Sequence, residues 1–252
     1  MNAPSAPLPG VLPLLSSHQM REMERLLTQV YAIAVVQTME LTGWHLACLA
    51  KRLLEDDIID RPIVVLAGQT NPSGSGLVAA RHLLNWGAWV QLVLTQPVDA
   101  YSGELAQQLT TLQAMGAPLA WAEEGWELPP ADLLIEALFG GEPQPRPTGK
   151  VRELIQLANS SRAPILSVDL PSGVDPDTGQ RFTPYIQATA TMAVALPKVG
   201  VLAAQDACGE LYLADIGVPA QLYADLGLDV SLLFAQDTIV PLIINAESVT
   251  VA

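Results

Sequence analysis

Short apolar runs alternate with helix-like segments along most of this chain. Residues 63–66 form a β-branched stretch, too short for a helix, between Pro62 and Gly68, which predicts a buried strand. Further strands are predicted at residues 89–94, 119–122, 133–138, 165–169, 188–196 and 211–216, and helices at 76–86, 103–115, 151–159 and 219–226. Regular alternation of this kind predicts a parallel sheet with helices on both faces, and therefore the α/β fold class.

Two amphipathic helices are predicted before the first strand. Ser17 is the expected N-cap of the first, and the second covers residues 35–55. The Pro-rich segment 1–16 is expected to be a flexible arm. Residues 17–226 are expected to form one domain, and residues 227–252, which the pattern does not place, form a C-terminal extension.

Composition narrows the classes of function. Of the 252 residues, 50% are hydrophobic and 15% are charged, which suits one large core. The net charge of −14 excludes extended contact with nucleic acid. The first 20 residues carry no Lys or Arg, unlike a secretory signal, and glycines and Pro72 interrupt the uncharged run 62–80, unlike a membrane span. We therefore expect a cytoplasmic protein that binds neither nucleic acid nor membrane.

The segment after the first strand is rich in Gly and Ser. Residues 68–75 are predicted to form a turn that opens a helix, a geometry that exposes backbone N–H groups to phosphate. Gly74 and Gly76 have the spacing of a dinucleotide-binding loop, but Thr95 and Gln96 stand where such proteins carry a ribose-binding acid. A phosphate-binding loop and an ordinary Gly-rich loop both remain open.

A second loop, residues 139–149, is rich in Pro and Gly and follows the predicted strand 133–138. Its position favours either a cover over a ligand crevice or a plain surface loop. Glu136 is the charged residue of that otherwise apolar strand. With Ser172 it could bind a hard monovalent cation, and a buried, hydrogen-bonded carboxylate explains it equally well.

Asp169 ends another apolar strand and is a candidate for proton transfer. The alternative is a carboxylate that caps the following turn. Ser172 does not lie in a G-x-S-x-G sequence, and His18, His45 and His82 fall on predicted helices far before it. A Ser-His hydrolase is therefore disfavoured. Clustered Cys and His of a zinc site are also lacking from the sequence.

In this order and spacing, the three loops resemble the NAD(P)H-hydrate epimerase family, the YjeF N-terminal domain, across about residues 18–218. Segments that look like family motifs are 20–24, 39–43, 76–83, 169–175, 196–200 and 214–219. The resemblance implies a Rossmann-like three-layer αβα sandwich with a mostly parallel sheet. It also implies a homodimer that interconverts the two epimers of hydrated NADH or NADPH, a repair reaction. Because the sequence shows no fused kinase-like dehydratase domain, a dehydratase partner is expected to be a separate chain.

Site roles also follow from the resemblance. Asp169 takes the position of the family's acid/base aspartate. Binding of the dinucleotide is implied for Asn71, Pro72, Ser73, Gly74, Ser75, Gly76, Gly140, Gly141, Arg146 and Asp169. A potassium ion is implied by the family's asparagine, aspartate and serine ligands. Glu136 and Ser172 occupy the aspartate and serine positions.

The sequence departs from the family pattern around this site. Where the family has Asn-Asn-Gly-Gly-Asp-Gly, residues 71–76 place Pro72 at a potassium-binding asparagine and Ser75 at the aspartate. Glu136 replaces an aspartate, and Glu142 puts a carboxylate where an anionic ligand would approach. Two functions remain open: an epimerase, or a binding module of the same fold that holds a nucleotide-like ligand or a protein. A nicotinamide-dependent dehydrogenase is less favoured because the ribose-binding acid is missing.

Overall fold

A computed structural model describes residues 10–122, 125–141, 143, 146–230 and 232–252. Within these ranges the elements are α1 (Ser17–Gln29), α2 (Val35–Leu53), β1 (Pro62–Ala67), α3 (Asn71–Asn85), β2 (Trp89–Leu94), α4 (Gly103–Ala114), β3 (Leu119–Trp121), β4 (Leu133–Ala137), α5 (Gly149–Ser160), β5 (Ile165–Val168), β6 (Ala190–Val194), α6 (Gln205–Cys208), β7 (Glu210–Ala214), α7 (Ala220–Asp225), β8 (Ile239–Ile244) and β9 (Val249–Val251). The predicted alternation of strands and helices is confirmed.

The strands of the described residues form one sheet in the order β3-β2-β1-β4-β5-β6-β7-β8-β9. Strands β1 to β7 pair in parallel, whereas β8 and β9 add to the β7 edge in antiparallel fashion. The chain leaves β1 toward β2 on one side and returns to β4 on the other. The loops after β1 and β4 therefore flank the topological switch point, where open α/β sheets bind their ligands.

Strand β1 shows how helices cover both faces of the sheet. Ile63 and Val65 belong to the core cluster that contains the buried side chains of α2 and α3. Val64 and Leu66 belong to the cluster formed with α5. Because both faces are buried, the strand is apolar throughout instead of alternating with polar residues. This arrangement confirms the predicted three-layer sandwich.

Helix α1 is capped by Ser16 instead of Ser17, so that prediction was wrong. The Ser16 hydroxyl accepts a hydrogen bond from the N–H of Gln19 at 3.2 Å, and the Gln19 side chain accepts one from the N–H of Ser16 at 3.0 Å. This reciprocal pair is a capping box. Ser17 is the first helical residue, and its N–H donates to Asp177 at 2.7 Å.

The two terminal segments pack against each other. Leu12 and Leu15 are buried, and the N–H of Leu12 donates to the carbonyl of Val249 at 2.8 Å. Residues 10–16 of the N-terminal arm are therefore packed against the rest of the protein through their buried leucines. Residues 1–9 lie outside the described residues. Strands β8 and β9 occupy part of the segment that the sequence pattern did not place.

Two further features concern the cysteines and the length of the helices. Cys208 is buried and Cys48 is partly buried, and both are free thiols. Among the described residues, every helix is too short or too polar to cross a bilayer.

Candidate functional site

A cavity of about 380 Å³ lies at the carboxyl edge of the sheet. Its lining includes Asn71, Pro72 and Ser75 of α3, Gly141 after β4, and Asp169 after β5. Helix α1 and the start of α2 supply much of the remaining lining. The volume falls within the range of small-molecule sites. Residues from all three sequence loops therefore meet at one cavity.

Asp169 has an unusual backbone conformation. Its φ is +66°, in the left-handed region, and its N–H donates to the carbonyl of Met192 at 2.7 Å. Asp is one of the few residue types other than Gly that adopts this region with modest cost. A strained backbone conformation costs about 1–3 kcal/mol per residue and persists only where the surrounding structure holds it. Such conformations are concentrated at functional sites.

The Asp169 carboxylate forms an ion pair with Lys198, a role that the sequence analysis missed. The Lys198 side chain is fully buried, and its Nζ donates to Asp169 Oδ1 at 2.7 Å. The N–H of Val194 donates to the same oxygen at 3.1 Å. The other oxygen, Oδ2, lies against Gly141, where a Cβ atom would collide with it. Asp169 thus uses one oxygen for anchoring while the other lies beside the glycine of the cavity lining.

Lys198 could have been recognised from its setting in the sequence. It is the charged residue of a mostly apolar run, residues 190–203, which spans β6 and the following turn. A lysine is almost never fully buried unless it is paired. A single lysine in such a run therefore indicates a buried carboxylate partner, and Asp169 ends the neighbouring strand.

Helix α3 begins at Asn71, five residues before the predicted start at residue 76. The Gly-rich segment is therefore mostly helix, and the N–H of Gly74 is bonded within it, to the carbonyl four residues earlier, at 3.3 Å. A Cβ atom at Gly74 would collide with Met39, and one at Gly76 with Ala137. These two glycines allow close packing of the helix in this structure, and their N–H groups are not presented as a phosphate-binding turn.

Hydrogen bonds join the segment after β1 to the loop after β4. The Ser73 hydroxyl donates to the carbonyl of Ala137 at 2.7 Å, and the Thr70 hydroxyl donates to that of Phe139 at 3.0 Å. Gly140 has a φ of +82°, and a Cβ there would collide with Pro72. The two loops are therefore in direct contact.

The structure separates the predicted binding residues into two groups. Those that line the cavity are Asn71, Pro72, Ser75, Gly141 and Asp169. The other predicted binding residues that the structure describes do not line the cavity: Ser73, Gly74, Gly76, Gly140 and the exposed Arg146. Glu142 lies outside the described residues. The lining also includes Arg21 and Arg25 of α1, which the sequence analysis did not select.

The Glu136 carboxylate is almost fully buried at the end of β4. Its Oε1 accepts hydrogen bonds from the N–H of Leu138 at 2.8 Å and the hydroxyl of Ser172 at 2.6 Å. Its Oε2 accepts from the hydroxyl of Ser167 at 2.9 Å and the N–H of Ser172 at 3.2 Å. Burial raises the pKa of Glu136 above its usual value, and the hydrogen bonds oppose this effect.

These contacts do not fit the potassium ion that the resemblance implies. A carboxylate has about four acceptor positions, and four N–H and O–H donors face this one. Pro72 has no side-chain oxygen to offer in place of an asparagine. Within the part of the chain that the structure describes, no group of three or more His, Cys, Asp and Glu side chains is placed to hold a metal.

The chain is similar in sequence to proteins of one known family. A family model described as YjeF-related protein N-terminus matches residues 36–200. An NAD(P)H-hydrate epimerase of Dehalogenimonas lykanthroporepellens is 36% identical over 216 residues, which cover 83% of this chain and 84% of that protein. A bifunctional NAD(P)H-hydrate repair enzyme of Moorella thermoacetica is 34% identical over 84% of this chain, which spans only 42% of that relative.

A solved structure gives a matching fold. The crystal structure of yeast ynu0 aligns with a TM-score of 0.80 over 91% of this chain and 100% of the yeast chain. The sequence identity is 22%, so this likeness concerns the fold alone.

Proposed function

The chain belongs to the YjeF-related protein N-terminus family, and from this premise we propose that it interconverts the two epimers of hydrated NADH or NADPH. Three relatives named NAD(P)H-hydrate epimerase, at 29%, 31% and 36% identity over most of the chain, support this activity. The observation that carries the proposal is the placement of Asp169 in the cavity lining, with one oxygen held by Lys198.

The reaction needs a proton donor and acceptor. Hydration of the nicotinamide ring leaves a hydroxyl on a carbon that then has two possible configurations. In one route, a carboxylate takes the hydroxyl proton and passes it to the ring nitrogen as the carbon–nitrogen bond breaks, which leaves an aldehyde on the opened ring. The nitrogen then attacks the opposite face of that aldehyde, and the carboxylate carries the proton back from nitrogen to oxygen. A single ionised carboxylate, the state that the ion pair with Lys198 gives Asp169, can move the proton in both directions.

Asp169 is the group that we assign to this proton exchange. Its Oδ1 is fixed by the Lys198 ammonium and the Val194 N–H, so the side chain cannot rotate freely. Oδ2, beside Gly141, is the oxygen available for the hydroxyl. Holding a proton-transfer group in one orientation lowers the barrier because its positioning is settled before the substrate reacts.

The phosphates of the dinucleotide require positive charge in this acidic chain. With a net charge of −14, the protein as a whole repels a dinucleotide, so local cations decide where it binds. Arg21 and Arg25 line the cavity, and Arg25 is already engaged by Glu22 at 2.7 Å. We assign Arg21 to the pyrophosphate, with Asn71 and Ser75 on the facing helix as further contacts.

Replacing Arg21 by Gln is expected to raise the KM for the hydrated dinucleotide about tenfold with little change in kcat, because a charge-assisted bond to phosphate is lost. Steady-state kinetics measures both constants. Arg162→Gln is the matched control, since this exposed arginine just precedes β5, at the opposite edge of the sheet. An equal KM for the Arg21 variant and wild type would remove Arg21 from the binding site.

The activity itself is tested with a purified single epimer. We expect the protein to convert the R epimer of hydrated NADPH into the equilibrium mixture much faster than buffer does, followed by chromatography of the two epimers. A rate equal to that of buffer would contradict the proposal. Saturable binding of the dinucleotide without turnover would then identify the binding module that the departures at Pro72 and Glu136 left open.

The proposed epimerase activity also includes a proposed oligomeric state and a proposed partner enzyme. We propose a homodimer that works together with a dehydratase, and relatives described as bifunctional repair enzymes support a coupled second activity. Light scattering during gel filtration measures the oligomeric state. The cytoplasmic location expected from the sequence stays a prediction.

A further inference from the structure

Glu136, a residue of β4, forms hydrogen bonds with residues on both sides of Asp169. Ser167 lies two residues before Asp169 and Ser172 lies three residues after it, and both donate to the Glu136 carboxylate. The N–H of Leu138 donates to the same carboxylate from the loop after β4. The segment that carries Asp169 is therefore fixed on both flanks by one buried side chain.

The same contacts leave no suitable ligand set for a cation. Two of the four donors are backbone N–H groups, which carry partial positive charge and cannot turn away. The Ser172 hydroxyl donates to Glu136 and already accepts from the N–H of Phe139 at 2.9 Å. The carboxylate thus occupies the space and the hydrogen-bonding positions between the loops after β4 and β5.

We infer that Glu136 is a positioning residue that replaces a bound monovalent cation, so that this chain needs no potassium to assemble its site. The negative charge of the Glu136 carboxylate is stabilised by four hydrogen-bond donors instead of an ion. The inference rests on the proposed function for its kinetic consequence only. Its structural consequence, stability that does not depend on potassium, holds whatever the protein binds.

The first experiment exchanges the cation and leaves the wild-type protein unchanged. Thermal unfolding and epimerisation are measured in potassium chloride and in N-methylglucamine chloride at one fixed ionic strength, since the large organic cation cannot enter a buried site. We expect the same unfolding temperature and the same rate in both salts. A ligand that binds only the folded state raises its stability. A higher unfolding temperature or rate in potassium would therefore overturn the inference.

The second experiment removes the charge of Glu136. In Glu136→Gln the amide NH₂ faces groups that are themselves donors, so the loop that carries Asp169 loses its fixed position. We expect kcat to fall about 10-fold to 100-fold with KM within about twofold of wild type, because misplacement affects the reacting group more than binding. The unfolding temperature should fall equally in both salts. Glu104→Gln, at an exposed position of α4, is the matched control.

These outcomes separate the inference from the proposed function. If the wild-type protein lacks epimerase activity, the proposed function fails, and the unfolding temperatures in the two salts still decide whether potassium is bound. A Glu136→Gln variant with wild-type kcat and wild-type unfolding temperature would overturn the positioning role. A variant that does not fold leaves the wild-type salt comparison as the deciding measurement.

Discussion

Replacing Asp169 by Asn is expected to lower kcat for epimerisation by about 10²–10⁴-fold, the usual contribution of a positioned acid or base. Asn keeps the shape of the side chain and tolerates the left-handed backbone that Asp169 adopts, so the loop is expected to remain folded. The amide cannot accept the proton of the substrate hydroxyl and return it. The rate constant is measured with the single R epimer and compared with that of buffer.

The same substitution is expected to lower stability, which needs its own control. It leaves the Lys198 ammonium buried without its carboxylate, and breaking a buried pair in this way costs about 3–5 kcal/mol. The double variant Asp169→Asn, Lys198→Met removes both charges. We expect it to recover much of the lost stability in urea unfolding and to stay inactive. Wild-type activity in the single variant would exclude Asp169 from the reaction.

The sheet and its order of elements could be predicted from the sequence because burial on both faces makes parallel strands uniformly apolar. Strand β2 has the predicted bounds, and the other strands from β1 to β7 overlap their predicted ranges. The start of α3 was misplaced because Gly and Ser at residues 73–76 have low helix propensity and resemble a turn. Tertiary packing overrides that propensity, since Gly74 and Gly76 allow the helix to lie against Met39 and Ala137.

The site was predictable in part. Each of its three loops follows a strand, and the carboxyl ends of parallel strands meet at one edge, so convergence near Asp169 follows from the pattern alone. The apolar run around Lys198 indicates a buried lysine, but its pairing with Asp169 was missed because the two residues are 29 apart in sequence and meet only when β6 pairs with β5. The contribution of α1 to the cavity could not be predicted from the hydrophobic pattern either. Periodicity shows which face of a helix is apolar, but it does not show which part of the protein that face packs against.

Replacing Gly141 by Ala is expected to lower kcat about 100-fold while KM changes little. Its φ is not among the positive values, so the backbone accepts alanine there without strain. The new methyl group would collide with Asp169 Oδ2 and Lys198 Cε, which forces the reacting oxygen to move. A displacement of about 1 Å at a reacting group costs on the order of 100-fold in rate.

Gly103→Ala separates this steric effect from a general effect of adding a methyl group to a glycine. Gly103 has a φ of +60° and open space around it, so alanine there strains the backbone and touches nothing near the cavity. We expect Gly103→Ala to lose about 1–2 kcal/mol of stability and keep its kcat. For Gly141→Ala we expect the reverse, a low kcat with a smaller loss of stability. A Gly141 variant with wild-type kcat would show that Oδ2 is not the oxygen that meets the substrate, because Oδ2 is the atom that the new methyl group would approach most closely.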